Sequence, residues 1–433
     1  KKKVPAFPYQ ERYMLSWRNY LAHLDFEISQ FTNLYGEVTT YRETWKGVDK
    51  EFKNDKNIGG QLTKKGFFEK NVPESLFQEP DKLTKAKNIF EFVKKHYSWT
   101  GEDGRYTKAR VKRAFDEHRG SSAEINMSLI NLLNAADIKT NMMLLSTRNH
   151  GLAKKIYPVM KDFNYIVAFA EIEGKKYLLD ATDDMMPFGR IPYKCLNHYG
   201  RVMDFKEASY WYNIEPKSGN KIIHRLNLVY DKEIDQFTGT MDQICMGYDG
   251  VRRRWELKEL NNDTDKILDA LDTEYGDFLE IGDWEFYKDK SSQERVWEHF
   301  DFATDYDLNE GNAILNPFLF NLFESNPLPL DNRTFPVDFG HSRSWKIDVN
   351  LTLPEGYEIE QFPESQEVKL GQGLGYMKIN SVTKGQRAKI TYELTLKQSY
   401  FPTNMYKPLK DFFAYAVDEQ KNATLTIRKS QSK

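Results

Sequence analysis

The chain reads as an α+β protein, with helices and a few strands in its first half and antiparallel sheet in its second. Three observations carry that reading. Apolar residues at helical spacing are concentrated before residue 140, and alternating runs separated by Gly, Asn and Asp turns dominate after about Pro216. Aromatic residues make up 14% of the chain and recur in both halves, as suits sheet interfaces filled by large side chains. With 433 residues there is room for two or three domains, each with its own core.

Taken in order, residues 1–44 carry alternating aromatic segments such as His-Leu-Asp-Phe-Glu-Ile-Ser at 23–29, which read as strand. From Trp45 the pattern turns helical. In the segment 81–99, Leu83, Ala86, Ile89, Phe90, Val93 and Tyr97 fall at three- and four-residue spacings and make one apolar face. A helix is expected over 107–118, ending before Arg119-Gly120. Ser121 or Ser122 then caps the next helix, with Glu124 placed to close a capping box on Ser121, and Ile125, Leu129, Leu132 and Leu133 form its buried stripe. The run 141–146 is continuously apolar, as a central strand should be. Two strands flank Glu173-Gly174, a two-residue hairpin turn that brings Tyr165 and Asp180 to one end of the hairpin. Beyond Pro216 come a hairpin, two helices over 250–260 and 265–281, and alternating strands; residues 406–417 read as a closing amphipathic helix and 423–429 as a last strand. Arg333 and Asp338 are expected to pair at the surface.

Charge narrows the partners. The net charge is −2 and acids are interspersed with the lysines and arginines, so no basic face for nucleic acid is expected. The clusters at 110–113 and 251–254 read as solvated helix faces. No apolar run is long enough to span a membrane. Cys195 and Cys245 form no metal-ligand spacing, and nothing in the sequence decides whether they pair. Asp180, Asp183 and Asp184 read as a solvated acidic turn, since the spacing and glycine of a calcium loop are absent; no metal and no cofactor is expected.

The frame of residues 107–183, a helix opening at a Gly-Ser-Ser turn, a strand, and a hairpin ending on aspartate, resembles the papain-like transglutaminase superfamily. The resemblance continues through Pro187-Phe188-Gly189 and Pro192-Tyr193-Lys194-Cys195-Leu196-Asn197 to Gly200-Arg201, and into the C-terminal segments around 314–362. It implies a transglutaminase-like core over 45–215, preceded by the remnant of an N-terminal β domain at 1–44. An antiparallel β-sandwich-type region follows over 216–433, with two subdomains, 216–310 and 311–433, as one way to divide it. Such proteins are mostly exported by Bacteroidetes-type bacteria, so the resemblance implies a periplasmic or cell-surface location. The opening Lys-Lys-Lys, without methionine, suggests that a native N-terminus and any signal segment have been removed.

In that family a cysteine at a helix N-terminus, a histidine at the next strand and an aspartate form the catalytic triad, the helix end lowering the thiol pKa. Here Ser122 stands at the cysteine position, Tyr165 at the histidine position, and only Asp180 matches. A serine hydroxyl is far less acidic than a thiol, and a phenol with an ordinary pKa near 10 is a poor proton acceptor. The resemblance therefore implies an inactive core, a binding or scaffolding module for a peptide, protein or cell-envelope ligand, with Trp99, Ser121 and Asn164 as candidate binding residues. The alternative is a peptidase or acyl transferase that uses Ser122 as nucleophile and a base from elsewhere, such as His150, His118 or the N-terminal β domain that the resemblance implies. His150 reads otherwise as a surface histidine, Trp99 as core packing, and Ser122 as an N-cap.

Overall fold

The computed structural model describes residues 11–430, apart from 23–27, 29, 41–43, 277, 289–293, 307, 309–311 and 372. The chain is mixed α and β, in two compact units: residues 14–216, and residues 217–433 together with Glu11–Tyr13. The strand expected at 23–29 lies almost wholly outside the described residues.

In the first unit, a short hairpin of β1 (Gln30–Thr32) and β2 (Val38–Thr40) precedes four helices: α1 (Trp45–Asn54), α2 (Lys65–Asn71), α3 (Ser75–Gln78) and α4 (Lys82–His96). Asp81 caps α4, accepting from the Thr84 N–H at 2.7 Å, and Ala86, Ile89, Phe90 and Val93 are buried as the spacing predicts. Two-residue strands β3 (Ser98–Trp99) and β4 (Arg119–Gly120) pair in parallel on either side of α5 (Val111–Asp116). This helix is shorter than expected, because residues 102–110 are held as a loop by groups described below.

The central helix α6 (Ser122–Ala135) starts where the capping box predicts: Ser121 is the cap, and the Glu124 carboxylate accepts from its backbone N–H at 2.8 Å. Ser122 is thus the first helical residue rather than the cap. Instead of one stripe, every residue from Ser122 to Leu133 is buried. Strands β5 and β6 cover one side of α6, and α2, α4 and α5 cover the rest. Burying a leucine or isoleucine here stabilises by roughly 1.5–3 kcal/mol each. The sheet beside it has the order β7-β6-β5-β8-β9, all antiparallel, built from β5 (Thr140–Leu145), β6 (Tyr165–Ile172), β7 (Lys175–Leu179), β8 (Tyr199–Met203) and β9 (Tyr210–Asn213). The apolar run at 140–145 is its middle strand. Glu173 and Gly174 both have positive φ, 51° and 75°, the backbone a type I′ hairpin turn requires.

The second unit is built on one sheet of eight strands. These are β10 (Lys221–Asp231), β11 (Gln236–Met246), β12 (Leu279–Lys288), β13 (Arg295–Thr304), and, after short β14 (Asn312–Leu315) and β15 (Val337–Asp338), β16 (Arg343–Thr352). Past β17 (Tyr357–Gln361) come β18 (Gln366–Leu370), β19 (Gly375–Lys384) and β20 (Arg387–Leu396). The order β12-β13-β11-β10-β16-β20-β19-β18 draws strands from both sides of residue 310, joined through the parallel pair β10–β16. Residues 216–310 and 311–433 therefore share one core rather than forming two subdomains. A two-stranded sheet of β15 and β21 (Tyr400–Phe401) and a three-stranded sheet, β14-β22-β17 with β22 at Leu425–Lys429, accompany it, as do α7 (Tyr248–Glu259), α8 (Thr264–Tyr275) and α9 (Tyr406–Lys421). The Tyr392 hydroxyl, wholly buried, donates to the Ala416 carbonyl at 2.8 Å and ties β20 to α9.

Two charge expectations are corrected here. The 251–254 cluster is not a solvated face: Arg253 pairs with the buried Glu298, Arg254 is itself buried, and only Arg252 lies out in solvent. The Arg333 side chain is 2% exposed and pairs at 3.1 Å with Glu11, and Asp338 is buried too, so neither is a surface charge. Both cysteines are free and buried.

Candidate functional site

The three positions aligned with a catalytic triad lie at the N-terminus of α6 and at the open end of the β6–β7 hairpin. What anchors the hairpin there is a residue the sequence reading missed. Asn126, wholly buried on α6, donates to the Ile166 carbonyl at 3.0 Å and accepts from the Ala181 N–H at 3.0 Å, so one amide holds both ends of the hairpin against the helix. A lone asparagine in a helical run carries no sequence signal for this.

Ser122 is wholly buried, and its hydroxyl faces backbone. Its Oγ accepts from the Gly104 N–H at 3.0 Å and lies 3.4 Å from the Gly104 carbonyl, while its own N–H donates to the Glu102 carbonyl at 3.0 Å. The loop 102–110 thus lies over the helix end. Glu124 fixes it further, its second carboxylate oxygen accepting from the Lys108 and Ala109 N–H groups at 2.6 and 3.1 Å. A buried carboxylate that caps its own helix and holds two loop amides explains why the expected helix at 107 begins only at Val111.

Tyr165 and Asp180 come together as the hairpin turn predicts, through an intermediary. The Tyr165 hydroxyl lies 3.2 Å from Thr182 Oγ1, which in turn donates to Asp180 Oδ1 at 2.6 Å; the Thr182 N–H donates to the same oxygen at 2.9 Å. The Asp-x-Thr spacing was a legible signal for this aspartate turn. Asp180 Oδ2 is buried with no hydrogen-bond partner. Burial, the largest influence, raises the Asp180 carboxyl above the usual carboxylate range, and raises the Tyr165 phenol and the Cys195 thiol well above theirs; the last two are also pushed up by the neighbouring Asp180. Each shift disfavours the charged form relative to the free group.

The sign for stability follows. Between pH 3.8 and the raised folded value, folded Asp180 keeps a proton that the unfolded chain has released, so this group's contribution is present below pH 3.8 and is lost as pH rises through the folded value. Asp180→Asn removes that loss. Its urea midpoint relative to the parent is expected to be more favourable at pH 7 than at pH 4, and a difference independent of pH would refute the assignment.

The remaining space is filled by a side chain from far along the chain. Lys194 Nζ lies 4.4 Å from the centre of the Trp99 ring and 4.8 Å from that of Tyr165, and pairs with Asp103 at 2.6 Å. Lys194 lies in the Pro192–Asn197 segment that carries the resemblance, but nothing local to it or to Asp103 reports a partner so far along the chain, and sequence reasoning gave neither a place at the site. Trp99 is 40% exposed, and its Nε1–H donates to the Glu102 carbonyl at 3.0 Å. Beside it a cleft of about 350 Å³ is lined by Ser98, Trp99, Thr100, Glu117, His118 and Arg119.

Other candidates fall away from the hydroxyl. Asn164 makes two bonds to Thr147, at 2.8 and 2.9 Å, stapling the loop after β5. Ser121 serves as the helix cap. His150 Nε2 bonds the Lys161 carbonyl at 2.7 Å, and His118 Nδ1 lies 3.3 Å from the His96 carbonyl; no imidazole bonds Ser122 among the described residues. Among the described residues no cluster of His, Cys, Asp or Glu is arranged to hold a metal ion. Nor is any described helix long and apolar enough to cross a membrane.

Comparison with known proteins adds fold rather than chemistry. Residues 311–426 match the family model DUF3858, described as a domain of unknown function with a solved structure. No curated protein matches the chain. The chain is similar to a crystal structure described as a "putative protease" from Parabacteroides distasonis ATCC 8503, with 12% identity and a TM-score of 0.50 over 94% of this chain. It spans 63% of that structure's length, and at such identity the likeness speaks for the fold alone.

Proposed function

We propose that this chain is a non-catalytic transglutaminase-like protein, exported to the periplasm or cell surface, that acts as a binding or scaffolding module for a peptide or protein. The observation that carries the reading is the state of Ser122: buried, bonded on both sides to the Gly104 backbone, and with no nitrogen base bonded to its oxygen among the described residues. General-base activation needs an acceptor within hydrogen-bond reach, directly or through one water, and Tyr165, at the position aligned with the family's base, has its phenol pKa driven away from that role and bonds Thr182 instead. The Lys194 ammonium lies over the Tyr165 ring in an ion pair with Asp103, a charged donor with no lone pair to accept a proton.

The cleft beside Trp99 is the surface this reading assigns to a ligand. An exposed indole face with His118, Glu117 and Arg119 around it offers flat apolar contact together with charges of both signs, which suits a short stretch of polypeptide. The test has two parts. The full chain is treated with a fluorophosphonate serine probe and a peptide-based acyl donor and read by mass spectrometry; no adduct at Ser122 is expected, and an adduct lost in Ser122→Ala would establish the peptidase or acyl-transferase alternative. A photo-crosslinkable peptide library is then expected to label residues 98–100 and 117–119, with labelling lost in Trp99→Ala. Labelling confined to other regions would remove the cleft from the proposal.

A further inference from the structure

We infer that the solvent-facing side of β11, β13 and β12 in the second unit is a docking groove for an extended basic polypeptide segment, in which a lysine or arginine side chain enters an acidic, aromatic-walled pocket. The register places its parts on one face. Asp242 on β11, His299 on β13 and Glu285 on β12 are cross-strand partners, and one step along, Trp297 and Tyr287 are partners as well. Directly opposed residues in antiparallel strands point to the same side. These five, with Asp283 and Asp301, line a cavity of about 430 Å³.

Charge complementarity chooses the occupant. The lining holds four carboxylates, Asp242, Asp283, Glu285 and Asp301, and neither lysine nor arginine. Its one basic group, His299, is already engaged: Nδ1 lies 2.8 Å from Asp242, and Nε2 lies 3.9 Å from Asp301. Arg225 flanks the groove as the β10 partner of Asp242. The aromatic wall answers the same ligand. Trp297 and Tyr287 are in contact, ring centres 5.0 Å apart, and Trp297 Nε1–H donates to Asp242 at 3.0 Å, fixing the indole. Tyr287, 46% exposed, donates to Glu285 and so presents its ring beside a carboxylate. A desolvated cation over a tryptophan or tyrosine face, with carboxylates around it, gains from both.

The neighbouring space argues for a chain rather than a small cation. A second cavity of about 590 Å³ adjoins the first, sharing Asp301; Val229 and Ala303 line it with the polar groups of Asn227, Thr238 and Thr240, while Ile281 and the buried Phe302 border it from the core side. Apolar side chains beside hydroxyl and amide groups suit the residue next to the basic one and its backbone.

The test uses the full chain and a fluorescent octapeptide of alternating lysine and valine, with a glutamine-for-lysine peptide, spermine and a neutral oligosaccharide as separate arms. Asp301→Asn with Glu285→Gln, both on exposed side chains, is expected to weaken the lysine peptide at least tenfold, and Trp297→Phe to weaken it less. Asp411→Asn on α9 and Trp99→Ala in the first unit are expected to leave it unchanged, which separates this groove from the cleft proposed above. Equal binding of the glutamine peptide, tighter binding of spermine or the oligosaccharide, no effect of the double variant, or no binding of the lysine peptide would each overturn the inference.

Discussion

Arg253→Met is expected to open the second unit locally, at a cost of about 3–5 kcal/mol. The reason lies in what the substitution leaves behind. Arg253 meets Glu298 with two parallel bonds, Nε to Oε2 and the second terminal nitrogen to Oε1, each 2.7 Å. The Glu298 side chain is 2% exposed, and it also accepts from Trp284 Nε1 and from the Gln243 amide, each at 3.2 Å. A bidentate guanidinium removed from such a carboxylate leaves a charge in a poorly solvated place with only neutral donors. Helix α7 then loses the tie that Arg253 makes to β13. Because the chain has two units, one unfolding free energy for the whole is ill-defined, and hydrogen exchange is the better measure. Backbone amides of β11 and β13 are expected to lose two to nearly four powers of ten in protection, the exchange equivalent of that cost. Arg253→Met combined with Glu298→Leu is expected to recover most of the loss, since an apolar pair needs no counter-charge. A single variant as protected as the parent would show that the pair contributes little.

That arginine also marks where sequence reasoning stopped. A run of three arginines on a helix reads as solvated, because nothing in the run reports a glutamate some forty residues on. Local signals fared better. The capping box at Ser121 and Glu124, the Glu173-Gly174 turn, and the apolar faces of α4 and β5 are written within a few residues, and the backbone follows them. The meeting of Tyr165 and Asp180 was legible for the same reason, since a two-residue hairpin leaves one register open to them. What could not be read were long-range associations: Lys194 lying between Trp99 and Tyr165, the Gly104 backbone enclosing Ser122, and the insertion of β16 beside β10 that makes one sheet of the second unit. Each depends on side chains or strands brought together from distant parts of the chain, and no period or spacing encodes them. The triad positions show the same limit from the other side: their residue types predicted weak chemistry, yet the closure of the loop over Ser122 is a property of packing.

His224 gives the second unit an expected weakness to acid. Its ring is 4% exposed on β10, and Nε2 lies 3.1 Å from Gln243 Oε1, in the same polar network as Glu298 and Arg253. Burial holds its pKa down at about 4, against an ordinary 6.5. The folded ring therefore stays neutral in a range where the unfolded chain takes up a proton. Stability is fully present above pH 6.5 and is lost as pH falls from 6.5 towards 4, because the unfolded state binds more protons throughout that window. A displacement of this size corresponds to about 3 kcal/mol over the whole range. Hydrogen-exchange protection of β10 and β11, corrected for the intrinsic rate at each pH, is expected to fall by roughly two powers of ten across it. His224→Gln keeps an amide donor towards Gln243 and has no proton to gain, so its protection is expected to be lower than the parent's at pH 7.5 and to vary far less between pH 6.5 and 4. Parent and variant falling in parallel would place the acid sensitivity on the carboxylates instead. The two network predictions are coupled through Gln243, which bonds both His224 and Glu298. The double variant of Arg253 and His224 should therefore cost other than the sum of the two, and the departure measures how far the network acts as one unit.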